Sequence, residues 1–222
     1  MDIRWLGKRG VRIDGNDACL VVDPGWTSVG ELKRATDGAD IVALSVRDDS
    51  AAATLESDGR FLIDGPGEYE IHGAFVVAVQ TESRALDSTK GNGAGAAAPV
   101  MNTVFAIEMD DLTVCHLGAL SHKLDRQQVE AIGRVDVLIV PVGGVDALRP
   151  SLAAEVVGQL DPSIVVPVNH SAGDLDGLGL ADVSKFVEEM GLSREEAETI
   201  LSLSTNRIPD DTQLRLLAPS SD

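Results

Sequence analysis

Basic residues are in short supply in this chain: 18 lysines and arginines stand against 36 aspartates and glutamates, a net charge of −18. Such a surface repels phosphate backbones and anionic headgroups, so nucleic acid and membrane are excluded as expected partners. The excess reads as a solvated acidic surface. Aromatics are also sparse, with two tryptophans, one tyrosine and four phenylalanines. The core must therefore be aliphatic. Cys19 and Cys115 both sit inside apolar runs and read as buried free thiols, which excludes a disulfide framework. The first residues, Met1 to Gly7, have no basic segment followed by an apolar one, so no signal peptide is expected. No apolar run reaches membrane-spanning length, and a cytoplasmic protein is the default expectation. A Gly-x-Ser-x-Gly elbow is absent. Cys115 and His116 are neighbours on one strand and point to opposite faces, so they cannot act as nucleophile and base.

What is present is a dense series of short apolar strands. Ile3 to Leu6 and Val11 to Ile13 predict a hairpin, and Cys19 to Val22 a buried strand that stops at Asp23-Pro24-Gly25. Ser28 to Ala35 predicts a helix, Asp40 to Leu44 a strand, and Ala51 to Leu55 one helical turn. Further strands are expected at Phe61 to Ile63, Tyr69 to His72, Ala74 to Val79, Thr103 to Glu108 and Leu112 to His116. The second half alternates: helices at Leu124 to Gly133, Pro150 to Leu160, Val183 to Met190 and Ser193 to Glu198, strands at Val135 to Pro141 and Ser163 to Val168. Ile200 to Ser204 and Gln213 to Leu217 are expected to close the chain as a strand pair. Residues 85–99, rich in glycine and alanine, predict a flexible insertion; no strand leads into its Gly-Asn-Gly-Ala-Gly, so it is not a phosphate loop. Continuous apolar strands need cover on both faces, which implies an α/β fold with two sheets between helices, in one domain spanning 1–222.

Several motifs then carry a resemblance. Trp5-Leu-Gly7 with Val11-Arg-Ile13, Val21-Val-Asp-Pro24, Asp64-Gly-Pro-Gly-Glu-Tyr-Glu-Ile71, Asn102-Thr-Val-Phe-Ala-Ile107, Cys115-His-Leu-Gly118, Val140-Pro-Val-Gly-Gly144 and Val165-Val-Pro167 occur in that order. Together they resemble the metallo-β-lactamase fold superfamily, and most closely its ascorbate-6-phosphate-lactonase-like branch of predicted zinc hydrolases. The resemblance implies a four-layer αββα sandwich of the metallo-β-lactamase type. It also implies a dinuclear metal centre with donors from a Thr-His-x-His-x-Asp-His loop, a mid-chain histidine, an aspartate after His-Leu-Gly, and a late histidine.

The donors are largely missing here. The loop after Ile41 to Leu44 reads Ser45-Val-Arg-Asp-Asp-Ser-Ala51, so the family ligand positions fall on Val46, Asp48, Ser50 and Ala51. The mid-chain position falls near Gln80-Thr-Glu82, the aspartate position on Ala119 and the late histidine position on Asn169. Only Asp48 offers a charged donor, and zinc needs several imidazole, thiolate or carboxylate donors at one point. The expectation is a protein that has lost its metal centre, takes no cofactor, and binds or scaffolds. The alternative is a metal-dependent hydrolase, using zinc or manganese, of a small phosphorylated or lactone-like substrate. Its rearranged site would use Asp48, Asp49, His122 and His170. Of the remaining histidines, His72 reads as a hairpin residue and His116 as structural. Asp23 reads as a turn former. A small-molecule ligand and a homo-oligomer are the partners left open.

Overall fold

The computed structural model describes residues 1–25, 28–83, 100–144, 148–172, 179–193 and 196–220. Strands β1 (Asp2–Gly7) and β2 (Gly10–Asp14) form the expected hairpin, with Ile3 opposite Ile13 and Trp5 opposite Val11. β3 (Cys19–Val22) adds antiparallel to β2, and β4 (Ile41–Ala43) and β5 (Phe61–Ile63) follow in parallel. β6 (Gly67–Ile71), β7 (Ala74–Ser83), β8 (Val100–Met109) and β9 (Leu112–His116) form an antiparallel meander in a second sheet. β10 (Val137–Pro141) and β11 (Ile164–Val168) extend that sheet in parallel. β12 (Leu201–Ser202) closes the first sheet against β1, and β13 (Gln213–Leu214) closes the second against β11.

Side chains alternate across each strand, so one apolar run feeds two cores. Leu20, Val22 and Ile41 meet Phe105, Ile107 and Val166 between the sheets. Val21, Val42 and Leu44 face outward onto α1 (Val29–Ala35) and α2 (Asp49–Ser57) through Leu32, Ala51 and Leu55. On the far side, Cys115, Leu138 and Val165 face α3 (Arg126–Ile132), α4 (Pro150–Leu160) and α5 (Ser184–Met190). The layers are α, β, β, α, as the strand pattern required. The thiols are free and buried, and burial pushes Cys19 up to about 12 and Cys115 higher still, so both stay protonated and inert.

Some local expectations need correction. The last two strands do not pair with each other; each closes a different sheet, because the chain crosses from one to the other between them. Of the helix expected at 193–198, residues 194 and 195 lie outside the described residues, and the flanking described residues are not helical. Glu198 instead bridges to Leu217, and its carboxylate pairs with Arg215. α2 is longer than one turn, for a reason given below. The insertion expected at 85–99 lies outside the described residues. No described helix is long and apolar enough to cross a membrane.

The topology places chemistry at one edge. β3 and β4 run parallel and end together, Val22 beside Ala43. β9, β10 and β11 also run parallel, with Ile139 beside His116 and Val168 beside Pro141. The carboxyl ends of parallel strands are where α/β sheets leave backbone and side chains free to meet a ligand.

Candidate functional site

Asp23 follows β3 with its backbone in the left-handed region, φ 47°. Its carboxylate accepts the Ser45 amide at 2.7 Å and the Ser45 hydroxyl at 2.5 Å, tying the end of β3 to the loop after β4. It is more than a turn former. The Ser45 carbonyl in turn accepts the Thr103 amide of β8 at 2.8 Å, joining the two sheets. Next to Thr103, Asn102 is fully buried. Its Oδ1 accepts the Ala119 amide at 2.7 Å, and its Nδ2 donates to Thr81 Oγ1 at 2.8 Å and to the Leu117 carbonyl at 3.1 Å. A buried amide with every partner in place fastens three segments at once.

His116 is the other buried anchor. Its Nδ1 accepts the Gly118 amide at 3.0 Å, so the proton sits on Nε2, which faces the Arg9 carbonyl at 2.8 Å. Burial holds its pKa below the usual imidazole value, against a smaller opposing pull from Asp23. Both nitrogens are committed to backbone, which makes His116 a neutral structural strut, as the sequence suggested.

These contacts decide whether a metal fits. At the mid-chain position and the position after His-Leu-Gly, neutral groups are bonded through Asn102: its Nδ2 donates to Thr81 and its Oδ1 accepts the Ala119 amide. Ala51 is buried in the outer core with Leu32 and Leu55, on the helix-covered face of its sheet. Asn169, at φ 54°, donates its amide to the Lys8 carbonyl at 2.7 Å. Ser50 donates its hydroxyl to Asp48 at 2.7 Å. Among the described residues, no three His, Cys, Asp or Glu side chains gather where they could hold a metal ion. The donor set among the described residues does not fit a zinc or manganese centre.

The four weaker candidates have separate surroundings, and no group of three His, Cys, Asp or Glu among the described residues could hold a metal ion. Asp48 is the N-cap of α2: it accepts from Ser50 and Ala51 amides, each at 2.9 Å. Those backbone and hydroxyl donors lower its pKa. This cap extends α2 past the single turn expected from sequence. Asp49 is exposed and pairs with Arg47. His122 lines a separate cleft beside Gln80, Lys123 and Gln128. His170 is buried, its ring 4.6 Å from that of Trp5. Asp48→Ala should lower stability by about 1 kcal/mol through loss of the cap. Because folding lowers the Asp48 pKa, its contribution is complete above its ordinary value of 3.8 and fades as pH falls through the lower folded value. Denaturant midpoints of the variant and parent should therefore differ at neutral pH and converge in acid.

What remains open is a cleft of about 350 Å³ at the edge of this network, lined by Lys8, Arg9, Asp23, Leu44, Val46 and Arg47 among others. Lys8 and Arg9 form the tip of the β1–β2 hairpin. Sequence reading treated them only as a turn; two consecutive cations in an acidic chain were the available signal.

Comparison with known proteins fits this architecture. Residues 2–169 match the model of the beta-lactamase superfamily domain. A UPF0173 metal-dependent hydrolase of Archaeoglobus fulgidus is 26% identical over 110 residues, 50% of this chain and 46% of the relative. One of the same group from Pyrococcus horikoshii is 30% identical over 108 residues, 47% of this chain and 44% of the relative. The matched region thus spans less than half the length of these curated relatives. The crystal structure of a proposed zinc-dependent hydrolase of the metallo-β-lactamase superfamily from Thermotoga maritima superposes with a TM-score of 0.72 at 27% identity, covering 98% of both chains. A metallo hydrolase from Ignicoccus hospitalis shares the fold, with a TM-score of 0.61 at 13% identity over 99% of this chain and 96% of that one.

Proposed function

The chain belongs to the beta-lactamase superfamily, with the fold of its metal-dependent hydrolases, and from that premise we propose a protein that binds a small molecule without metal-dependent hydrolysis. One observation carries the reading. The family ligand positions hold Val46, Asp48, Ser50, Ala51, Ala119 and Asn169, and the only carboxylate among them, Asp48, is spent capping α2. A dinuclear hydrolase needs metal to polarise the bond under attack and to supply hydroxide at neutral pH. Here the strands that would position such a centre are retained, and hydrogen bonds among Ser45, Thr81, Asn102 and backbone amides take its place. The scaffold survives such a loss because fold and activity are separable.

Metal analysis of protein purified without chelator tests the reading. Far less than stoichiometric zinc, manganese and iron should remain after dialysis. Adding these metals should not produce turnover of a phosphoester and lactone panel. Tightly retained, near-stoichiometric metal would overturn it.

A further inference from the structure

We propose that the free edge of β6 docks an extended basic segment of another protein, which adds to the second sheet as one more strand. The sheets end in four edge strands: β12 and β5 in the first, β13 and β6 in the second. β12 and β13 have 2 residues each and β5 has 3, lengths that blunt edge pairing, whereas β6 has 5. It runs in unbroken register with β7, from Gly67 opposite Ala78 to Ile71 opposite Ala74, and carries no proline, lysine or bulge that would guard it. Among the described residues, no segment other than β7 hydrogen-bonds to its backbone. His72 and Gly73, at φ 50° and 79°, make the two-residue turn that joins β6 to β7. Such a turn is closed by a hydrogen-bonded pair, here Ile71 and Ala74. Alternation then turns the amides and carbonyls of Glu70 and Glu68 outward, to the open edge.

Side chains specify the occupant. Ile71 and Tyr69 pack toward the core between the sheets, so Glu68 and Glu70 stand on the opposite face, both exposed. Neither forms an ion pair with a described residue, and nor does Glu108, which lies across Phe75 from Glu70. A residue beside the glutamates on an added strand would be about 5 Å away, where opposite charge is favoured, so lysine or arginine belongs there. The other face of the added strand would run past Tyr69 toward Phe61, which is 55% exposed and meets the His72 ring edge-on. Apolar side chains suit that face. The occupant is therefore a strand of alternating basic and apolar residues. A second copy of this chain is disfavoured, because antiparallel pairing of two β6 edges places glutamate opposite glutamate. None of these residues lines the strand-end cleft.

Fluorescence anisotropy with a labelled synthetic peptide of alternating lysine and valine, at constant ionic strength, is the test. Saturable binding is expected. Methylating alternate backbone nitrogens of the peptide keeps its charge and removes its edge donors, and should weaken binding about tenfold. Glu68→Lys with Glu70→Lys should also weaken it about tenfold. Glu188→Lys with Glu189→Lys, an equal change of charge at exposed positions on α5, should leave it unaltered. Both β6 glutamates are exposed, so their replacement should keep the parent's unfolding midpoint. Bound peptide should slow hydrogen exchange at the Glu68 and Glu70 amides. No saturable binding, equal weakening by the α5 changes, or binding indifferent to backbone methylation would overturn the proposal. So would peptide-free protein that is dimeric with those two amides protected, since the occupant would then be a second copy.

Discussion

Gly118→Ala should destabilise the protein by about 4 kcal/mol, a large part of the roughly 5–15 kcal/mol that holds a domain folded. Gly118 has φ 60°, where an alanine pays about 1 kcal/mol or more. Sterics add the larger share. A Cβ there would lie 2.3 Å from Ser45 Cβ, 2.6 Å from Asn102 Oδ1 and 2.7 Å from Ser45 Oγ. Ser45 cannot retreat without releasing Asp23, and Asn102 cannot retreat without leaving the Ala119 amide unpaired in the core. An orphaned buried group of that kind costs about 1–3 kcal/mol. Denaturant unfolding should show a lower midpoint with an unchanged slope. Ser45→Gly removes two of the three colliding atoms, so the double variant should be more stable than the sum of its single changes predicts. A Gly118→Ala midpoint close to the parent's would mean that the site is not closed by these contacts.

Trp5→Ala comes next, at about 3–5 kcal/mol, the range for removing a large aromatic from a core. Trp5 is fully buried between the sheets and stacks at 4.6 Å on His170. Its indole N–H also holds the Lys8 carbonyl at 2.8 Å. Trp5→Phe separates these roles. It keeps most of the apolar volume and loses the hydrogen bond, for about 1–2 kcal/mol. With that bond gone, the hairpin tip loses one of its restraints. Equal costs for the two substitutions would show that the cavity left by alanine collapses and that packing at Trp5 contributes little.

The two substitutions bear on different kinds of information. Trp5 and Gly118 both stand in motifs that are visible in the sequence, Trp5-Leu-Gly7 and Cys115-His-Leu-Gly118. What each touches is not visible there. The four layers were legible because runs such as Leu20-Val-Val22 and Ile139-Val140 are apolar at every position, and such strands require cover on both faces. The missing donors at Val46, Ala51 and Ala119 were legible because those side chains have no group that can coordinate a metal. The closing strands were misread because pairing between neighbours in sequence is only the commoner outcome; β12 and β13 found partners in different sheets.

The site itself was the least legible part. Asp48 stood out as a charged group at a family ligand position, and only the fold turns its carboxylate onto the α2 amides. Asn102 looked like one letter of a family motif, yet it bonds to Thr81, Leu117 and Ala119. The sequence by itself determined the layers and the family, because periodicity and side-chain chemistry are local properties of the chain. Tertiary structure alone decided what meets at the strand ends. Asp23 and Ser45, Ser45 and Thr103, and Asn102 and Ala119 are far apart along the chain, and the hydrogen bonds between them exist only where the strand ends of the two sheets meet.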